Sequence, residues 1–188
     1  MNQKYARSDW FRHDRFGMFI HWGLYAIPAR GEWVRSHEEI SKEDYEPFKY
    51  EFDPCNYDPK TWARLAKEAG MKYAVLTAKH HEGFCLFDTA TTDFKSTTFC
   101  GRDLVREYVD AFRAEGIKVG LYYSIIDWRH PDYPHYGDLN HPMRNHPECS
   151  NEGRDFHRYL DYMFTQIREI SSRSSTEFLN PPDASIRT

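Results

Sequence analysis

The sequence of 188 residues has no apolar run that approaches the ~20 residues needed for a membrane-spanning helix. Its first residues include no apolar stretch of the kind found in a secretory signal peptide. Basic residues are scattered and fewer than acidic ones, 25 against 29, so no positive surface is expected for nucleic acid or anionic membranes. The sequence therefore predicts a cytoplasmic or trimmed chain whose partners are neither nucleic acid nor membrane.

Cysteine is scarce, and low-complexity segments are lacking. The four cysteines form no C-x-x-C pair, which argues against a zinc or redox motif, and they are too sparse for a disulfide-stapled secreted domain. We interpret them as reduced thiols. Ten glycines and ten prolines are ordinary amounts, and no stretch is typical of a linker. A single folded domain, or part of one, is expected.

Aromatic residues are abundant, at 16% of the chain. Many of these rings are expected to fill a core. Others could line a polar, concave site, because aromatic faces pack against the C–H faces of sugars while polar neighbours bind the hydroxyl groups.

Apolar periodicity predicts three strand–helix units. Strands are predicted at residues 17–23, 72–78 and 117–124, and helices follow at about 58–70, 103–116 and 154–170. Asp58 and Asp103 can cap the first two helices, and Gly70 and Gly116 can end them. Helices joined to strands by one or two residues favour an α/β fold with parallel strands.

The length fits only part of a (β/α)8 barrel, which typically needs ~250 residues. We therefore predict a partial (β/α)8 TIM-like barrel over residues 1–170, with about three βα units. Residues 171–188 lose the apolar periodicity and contain Pro181-Pro182, so they are expected to form an irregular tail, truncated or out of frame. The exposed strand edges of such a barrel predict association between copies of the chain, or poor solubility.

Histidines follow the predicted strands at the edge where α/β folds build their sites. His21 comes after the first strand, and His80 and His81 come after the second. Imidazole suits hydroxyl recognition, proton transfer or metal binding. A metal hydrolase that uses these three histidines is one hypothesis, but adjacent residues of an extended strand point to opposite faces, which disfavours a shared ion.

Other polar and aromatic residues are predicted near the same edge. Glu32 and Trp33 pair a hydrogen-bond acceptor with a large ring. Tyr122 and Tyr123 alternate faces, and periodicity does not say which of them faces the site. Asp127 and Trp128 follow the third strand, and Lys79 and Arg129 could supply positive charge. We expect His130, His135, His141 and His146, spaced among prolines that include Pro147, to be exposed loop residues.

Several motifs together resemble one known family. These are residues 16–23 (FGMFIHWG), 31–33 (GEW), 77–87 (TAKHHEGFCLF), 91–96 (TTDFKS), 101–105 (GRDLV) and 120–124 (GLYYS) with Asp127-Trp128. Together they resemble the N-terminal half of the catalytic domain of glycoside hydrolase family 29, the α-L-fucosidases, over roughly residues 8 to 170.

The resemblance implies a (β/α)8-like catalytic barrel that releases terminal α-linked L-fucose with retention, and it implies no cofactor. It also favours Tyr122 over Tyr123 as the inward residue and makes the histidines sugar ligands. The positions that match the family's fucose-binding residues are His21, Glu32, Trp33, His80, His81 and Tyr122.

The catalytic carboxylates of the family find no match in the sequence. In the family, the nucleophilic aspartate follows the fourth strand in a Trp-x-Asp segment, and the acid/base lies later still. Asp183 has no tryptophan before it and no strand pattern leading to it, so we do not assign it as the nucleophile. Retaining hydrolysis needs two carboxylates ~5 Å apart. We therefore expect a poor or inactive fucosidase, and the alternative is a non-catalytic protein that binds fucose or another carbohydrate.

Overall fold

A computed structural model of the protein describes residues 8–135, 137–146 and 148–174. Three strands form one parallel sheet in the order β1 (Gly17–Ile20), β2 (Tyr73–Lys79) and β3 (Lys118–Tyr123). The α/β class with a small parallel sheet is thereby confirmed. Each strand begins within two residues of its predicted first residue, and β1 ends three residues before its predicted last residue.

The helices lie between and after the strands. In chain order they are α1 (Asp9–Asp14), a 3-10 turn (Leu24–Ala26), α2 (Val34–His37), α3 (Lys42–Tyr45), α4 (Phe48–Glu51), α5 (Pro59–Glu68), α6 (Ser96–Cys100), α7 (Leu104–Ala114) and α8 (Phe156–Ser174). Helices α5 and α7 begin at the predicted caps, because Asp58 accepts the amide hydrogen of Thr61 and Asp103 accepts that of Arg106.

The main core lies between the sheet and helices α5 and α7. On β2, Leu76 and its neighbours Ala74 and Ala78 are fully buried. On α7, Leu104, Tyr108 and Phe112 are equally buried, which accounts for the apolar stripe in the sequence. This packing fixes β2 at the centre of the sheet, so the loops after β1 and β3 lie on either side of the loop after β2.

A β-bulge interrupts the pairing of β2 with β3. Thr77 pairs with Tyr122 and Lys79 pairs with Tyr123. Between these two pairs, β2 advances by two residues and β3 by only one. Paired residues point to the same face of a sheet, and the extra residue reverses which face the following side chains occupy. Lys79 therefore shares the face of Tyr123, and the next residue, His80, returns to the face of Tyr122.

Helix α8 extends to Ser174, so residues 171–174 of the predicted irregular tail are helical. Residues 175–188, which include Asp183 and Pro181-Pro182, lie outside the described residues, as does Pro147. Within the described ranges, no helix is long and apolar enough to cross a membrane. In that part of the chain β1 and β3 each pair on one side only, and association of copies through these edges remains a prediction.

Candidate functional site

Three imidazole rings, which we call the histidine cluster, meet at the carboxyl ends of β1 and β2. The members of the cluster are His21, His80 and His81. The ring centroids of His21 and His80 are 5.1 Å apart, and those of His80 and His81 are 4.1 Å apart. The structure therefore brings these three predicted site residues together.

The adjacent rings of His80 and His81 lie on the same side of the chain, contrary to the alternation expected of a strand. Strand β2 ends at Lys79, so both histidines belong to the turn that follows it. The turn continues with Gly83, whose φ of +89° is in the left-handed region. An added Cβ there would lie 2.6 Å from Asp127 Oδ1, so glycine also provides the space this turn needs.

Each imidazole is held at Nδ1 by a buried side chain. Nδ1 of His21 lies 2.8 Å from the hydroxyl of Tyr25, Nδ1 of His80 lies 3.2 Å from Glu82 Oε2, and Nδ1 of His81 lies 2.6 Å from Ser124 Oγ. We call Tyr25, Glu82 and Ser124 the support layer, and none of them is more than 5% exposed. These contacts leave Nε2 as the nitrogen with which each ring can bind a ligand.

Two of the three rings are kept neutral by their surroundings. Burial, together with the neighbouring His80, lowers the pKa of His81 to about 4. Burial and His80 also lower the pKa of His21, and the negative charges of Glu32 and Glu82 act in the opposite direction. A neutral imidazole offers one lone pair or one N–H at Nε2, which suits recognition of a hydroxyl group.

Aromatic rings surround the histidine cluster. Tyr122 lies with its ring centroid 6.2 Å from those of His21 and His80, so it faces the site, whereas Tyr123 points to α8 and donates to Gln166. Trp33 packs 4.8 Å from His81, and Trp128 packs 5.0 Å from the same ring. His81 is therefore fixed by rings as well as by its hydrogen bond.

Glu32 lies at the open side of the cluster. Its residue is exposed, and its charge acts on both His21 and Tyr25, which places the carboxylate in their neighbourhood. His21 is exposed as well. His21 and Glu32 thus form the exposed side of the cluster, whereas His80 and His81 are only 3% and 7% exposed.

The two basic residues expected near the site lie elsewhere. Lys79 is fully buried on the α8 side, where its ammonium group is 2.8 Å from Asp127 Oδ2 and 4.7 Å from the ring centroid of Tyr123. Arg129 forms an ion pair with Glu46 at 2.8 Å. The bulge in β2 accounts for the position of Lys79, because it turns that side chain away from the face of Tyr122.

The loop histidines are less exposed than predicted. His141 is only 1% exposed and packs against His135, with ring centroids 4.2 Å apart, so the expectation of an exposed loop residue is wrong for it. Burial lowers the pKa of His141 to about 3. His130, His135 and His146 are half-buried. Among the described residues, no group of three histidine, cysteine or acidic side chains is arranged to hold a metal ion.

Sequence reasoning missed two members of the support layer. Tyr25 lies four residues after His21 in the 3-10 turn. This short spacing from a histidine at a strand end could have indicated a contact between the two side chains. Ser124 is the residue directly after β3, where a hydroxyl side chain is typical of turns. Arg35, which is 3% exposed and stacks over Tyr45 at 5.4 Å, gave no signal in the sequence.

A sequence model of the family described as alpha-L-fucosidase matches residues 1–179. The chain belongs to the α-L-fucosidase family. Tissue alpha-L-fucosidase from Rattus norvegicus is 42% identical over 142 residues, which cover 66% of this chain and 31% of the rat protein. The human tissue enzyme is 38% identical over 142 residues, or 66% of this chain and 30% of the human protein.

Solved structures of α-L-fucosidases share the fold. Isoenzyme 1 from Paenibacillus thiaminolyticus superposes with a TM-score of 0.88 at 66% identity, over 92% of this chain and 41% of that enzyme. The enzyme AlfC from Lactobacillus casei, in complex with its α-L-fucose product, gives a TM-score of 0.79 at 31% identity, over 89% of this chain and 57% of that enzyme. This fucosidase-family chain thus spans about a third of the curated relatives and two fifths of the Paenibacillus enzyme.

Proposed function

We propose that the protein supplies the fucose-binding part of a retaining α-L-fucosidase, built on a partial (β/α)8 barrel. The observation that carries this proposal is the meeting of the three imidazoles with Tyr122 and Trp33 at the carboxyl ends of parallel strands, with ring centroids 4.1 to 6.2 Å apart. Membership of the α-L-fucosidase family supports a terminal L-fucoside as the ligand. No cofactor is part of the proposal.

The geometry suits a small polyhydroxylated ring. The histidine cluster offers Nε2 atoms to hydroxyl groups, and Glu32 adds a carboxylate acceptor at the open side. Trp33 and Tyr122 provide faces that can pack against C–H bonds of a sugar. In the proposed complex these residues bind and orient L-fucose, and they move no proton themselves.

The carboxylates near the described strand ends are poorly placed for hydrolysis. A retaining mechanism requires one carboxylate that attacks the anomeric carbon and another, ~5 Å away, that donates and then accepts a proton. Asp127 is engaged by Lys79 on the α8 side, and Glu82 is buried beneath His80. Glu32 is exposed and has no such partner among the described residues. We therefore assign the nucleophile and the acid/base to none of these three.

Isothermal titration calorimetry with L-fucose tests the proposal on the 188-residue chain. We expect binding in the millimolar range or tighter. His80→Ala and His81→Ala should each weaken it by about tenfold, the equivalent of one lost hydrogen bond of about 1.4 kcal/mol. His157→Ala, at an exposed position of α8, is the matched control and should bind as the parent does.

A parallel assay separates binding from catalysis. We expect the chain to release little or no 4-nitrophenolate from 4-nitrophenyl α-L-fucoside, because the described carboxylates form no catalytic pair. Binding without turnover would be equally expected of a non-catalytic carbohydrate-binding protein. Turnover that His80→Ala abolishes would overturn the assignment of the carboxylates, and absence of fucose binding would overturn the proposed site.

A further inference from the structure

The support layer gives each imidazole a defined hydrogen-bonding role. Its three members come from the segments that follow β1, β2 and β3, and each forms its hydrogen bond with Nδ1 of its histidine. Nδ1 is thus the nitrogen through which the fold controls the ring. The partner at Nδ1 decides whether Nε2 presents a hydrogen or a lone pair.

At His81 the hydrogen positions follow from the contacts of Ser124. The Ser124 hydroxyl donates to the carbonyl oxygen of Ile126 at 2.8 Å and accepts from the Ile126 amide at 3.0 Å. With the hydroxyl hydrogen directed at Ile126, Ser124 Oγ can only accept from His81, whose Nδ1 lies 2.6 Å away. His81 is neutral because burial lowers its pKa, so its Nε2 carries a lone pair.

At His80 the decisive group is Glu82. An ionised carboxylate has no hydrogen to donate, so with Glu82 in that form its contact with His80 Nδ1 at 3.2 Å places the hydrogen on Nδ1. Whenever this ring carries a single hydrogen, Nε2 is then an acceptor as well. The carboxylate is 2% exposed, and among the described residues its Oε1 finds no hydrogen-bond partner. A buried carboxylate is costly, and the one side-chain hydrogen bond described for it is to His80.

Space for this carboxylate comes from a glycine on the neighbouring strand end. A Cβ added at Gly23 would lie 3.4 Å from Glu82 Oε1 and 2.9 Å from the ring of Tyr25. The same glycine thus accommodates two members of the support layer. The absence of a side chain at Gly23, in the segment after β1, leaves room for the Glu82 carboxylate next to the histidine cluster.

We infer that Glu82 is a positioning residue that fixes the tautomer of His80, so that His80 and His81 present two adjacent acceptors at Nε2. With ring centroids 4.1 Å apart, the pair selects a ligand that donates two hydrogen bonds from neighbouring hydroxyl groups. The identity of that ligand as L-fucose rests on the proposed function. The tautomer itself does not, because its argument involves groups of the protein and no ligand.

Nitrogen-15 NMR of the imidazoles tests the tautomer directly on the ligand-free chain at neutral pH. We expect Nδ1 of His80 to be protonated and Nε2 to be unprotonated, with the signals assigned by their loss in His80→Gln. Glu82→Leu removes the acceptor and should give a mixture of tautomers, whereas Glu82→Gln retains an oxygen acceptor and should restore the parent spectrum. Glu68→Leu, at a carboxylate that is 65% exposed on α5, is the matched control.

Titration with L-fucose adds the functional readout. Glu82→Leu should weaken binding about tenfold and Glu82→Gln less than about threefold, because only the former frees Nδ1 of His80. A protonated Nε2 on His80 in the parent chain would overturn the inference, even if Glu82→Leu failed to fold. An unchanged His80 spectrum in folded Glu82→Leu would do the same. The expected tautomers without any fucose binding would uphold the role of Glu82 and refute the proposed ligand.

Discussion

The buried, neutral state of His81 makes the stability of the protein depend on acidity. Its pKa is about 4 in the folded chain and about 6.5 in the unfolded chain. Between these values the unfolded state binds the extra proton, so stability falls as the pH falls through this window. One group with this shift changes the free energy of unfolding by about 2 kcal/mol between about pH 7 and pH 5.

Urea unfolding, followed by tryptophan fluorescence at these two pH values, measures the change in the free energy of unfolding. The parent chain is compared with His81→Asn. Other buried histidines, His141 among them, contribute to both proteins and cancel in the comparison. Between about pH 7 and pH 5, the free energy of unfolding of the variant should fall by about 2 kcal/mol less than that of the parent. His157→Asn is the matched control and should behave as the parent. A His81→Asn variant with the full acid sensitivity of the parent would refute the argument that burial keeps this imidazole neutral.

Two further predictions concern residues that pack behind the histidine cluster, namely Gly23 and the ion pair of Lys79 with Asp127. Gly23→Ala should lower the free energy of unfolding by about 1–3 kcal/mol and weaken L-fucose binding, because the new Cβ would lie 2.9 Å from the ring of Tyr25; unaltered binding in calorimetry would contradict this. Lys79→Met should destabilise the chain by about 3–5 kcal/mol by leaving Asp127 buried without its cation, and Lys79→Met combined with Asp127→Asn should recover part of the loss. Urea denaturation of the single and double variants checks the second prediction, and additive losses would contradict it.

The elements of the fold were predictable because their signals are local. Asp58 and Asp103 cap α5 and α7 as their positions indicate, and the apolar stripe of α7 is the surface that packs on the sheet. The continuation of α8 through Ser174 was not predictable in this way. Residues 171–174 are mostly serine and carry no apolar stripe, so periodicity gave no reason to extend the helix.

The site was predictable in position but not in detail. Strand ends of a parallel sheet share one edge, so His21 and the pair His80 and His81 had to be neighbours. The burial of His141 depends on a loop that folds back on itself, with its ring against His135. Such contacts join residues that no periodic pattern relates, and the prolines around them wrongly indicated exposure.

The β-bulge shows how one extra residue determines the chemistry of the site. Simple alternation from Thr77 would place Lys79 on the face of Tyr122 and His80 on the face of the helices. That arrangement would put an ammonium group where the sugar is proposed to bind and would bury an imidazole in the core. The bulge exchanges the two, and the ammonium group then needs a buried anion, which Asp127 provides at 2.8 Å.

Asp127 links this exchange to the loop after β3. Its Oδ1 accepts the amide hydrogens of Arg129 and His130, and the amide of Trp128 donates to the carbonyl oxygen of His81 at 2.8 Å. The ion pair therefore joins the end of β2 to the segment that carries Trp128, whose ring packs against His81. Because Lys79, His80 and His81 are consecutive, the buried charge on one face and the rings proposed to bind fucose on the other depend on the same irregularity of β2.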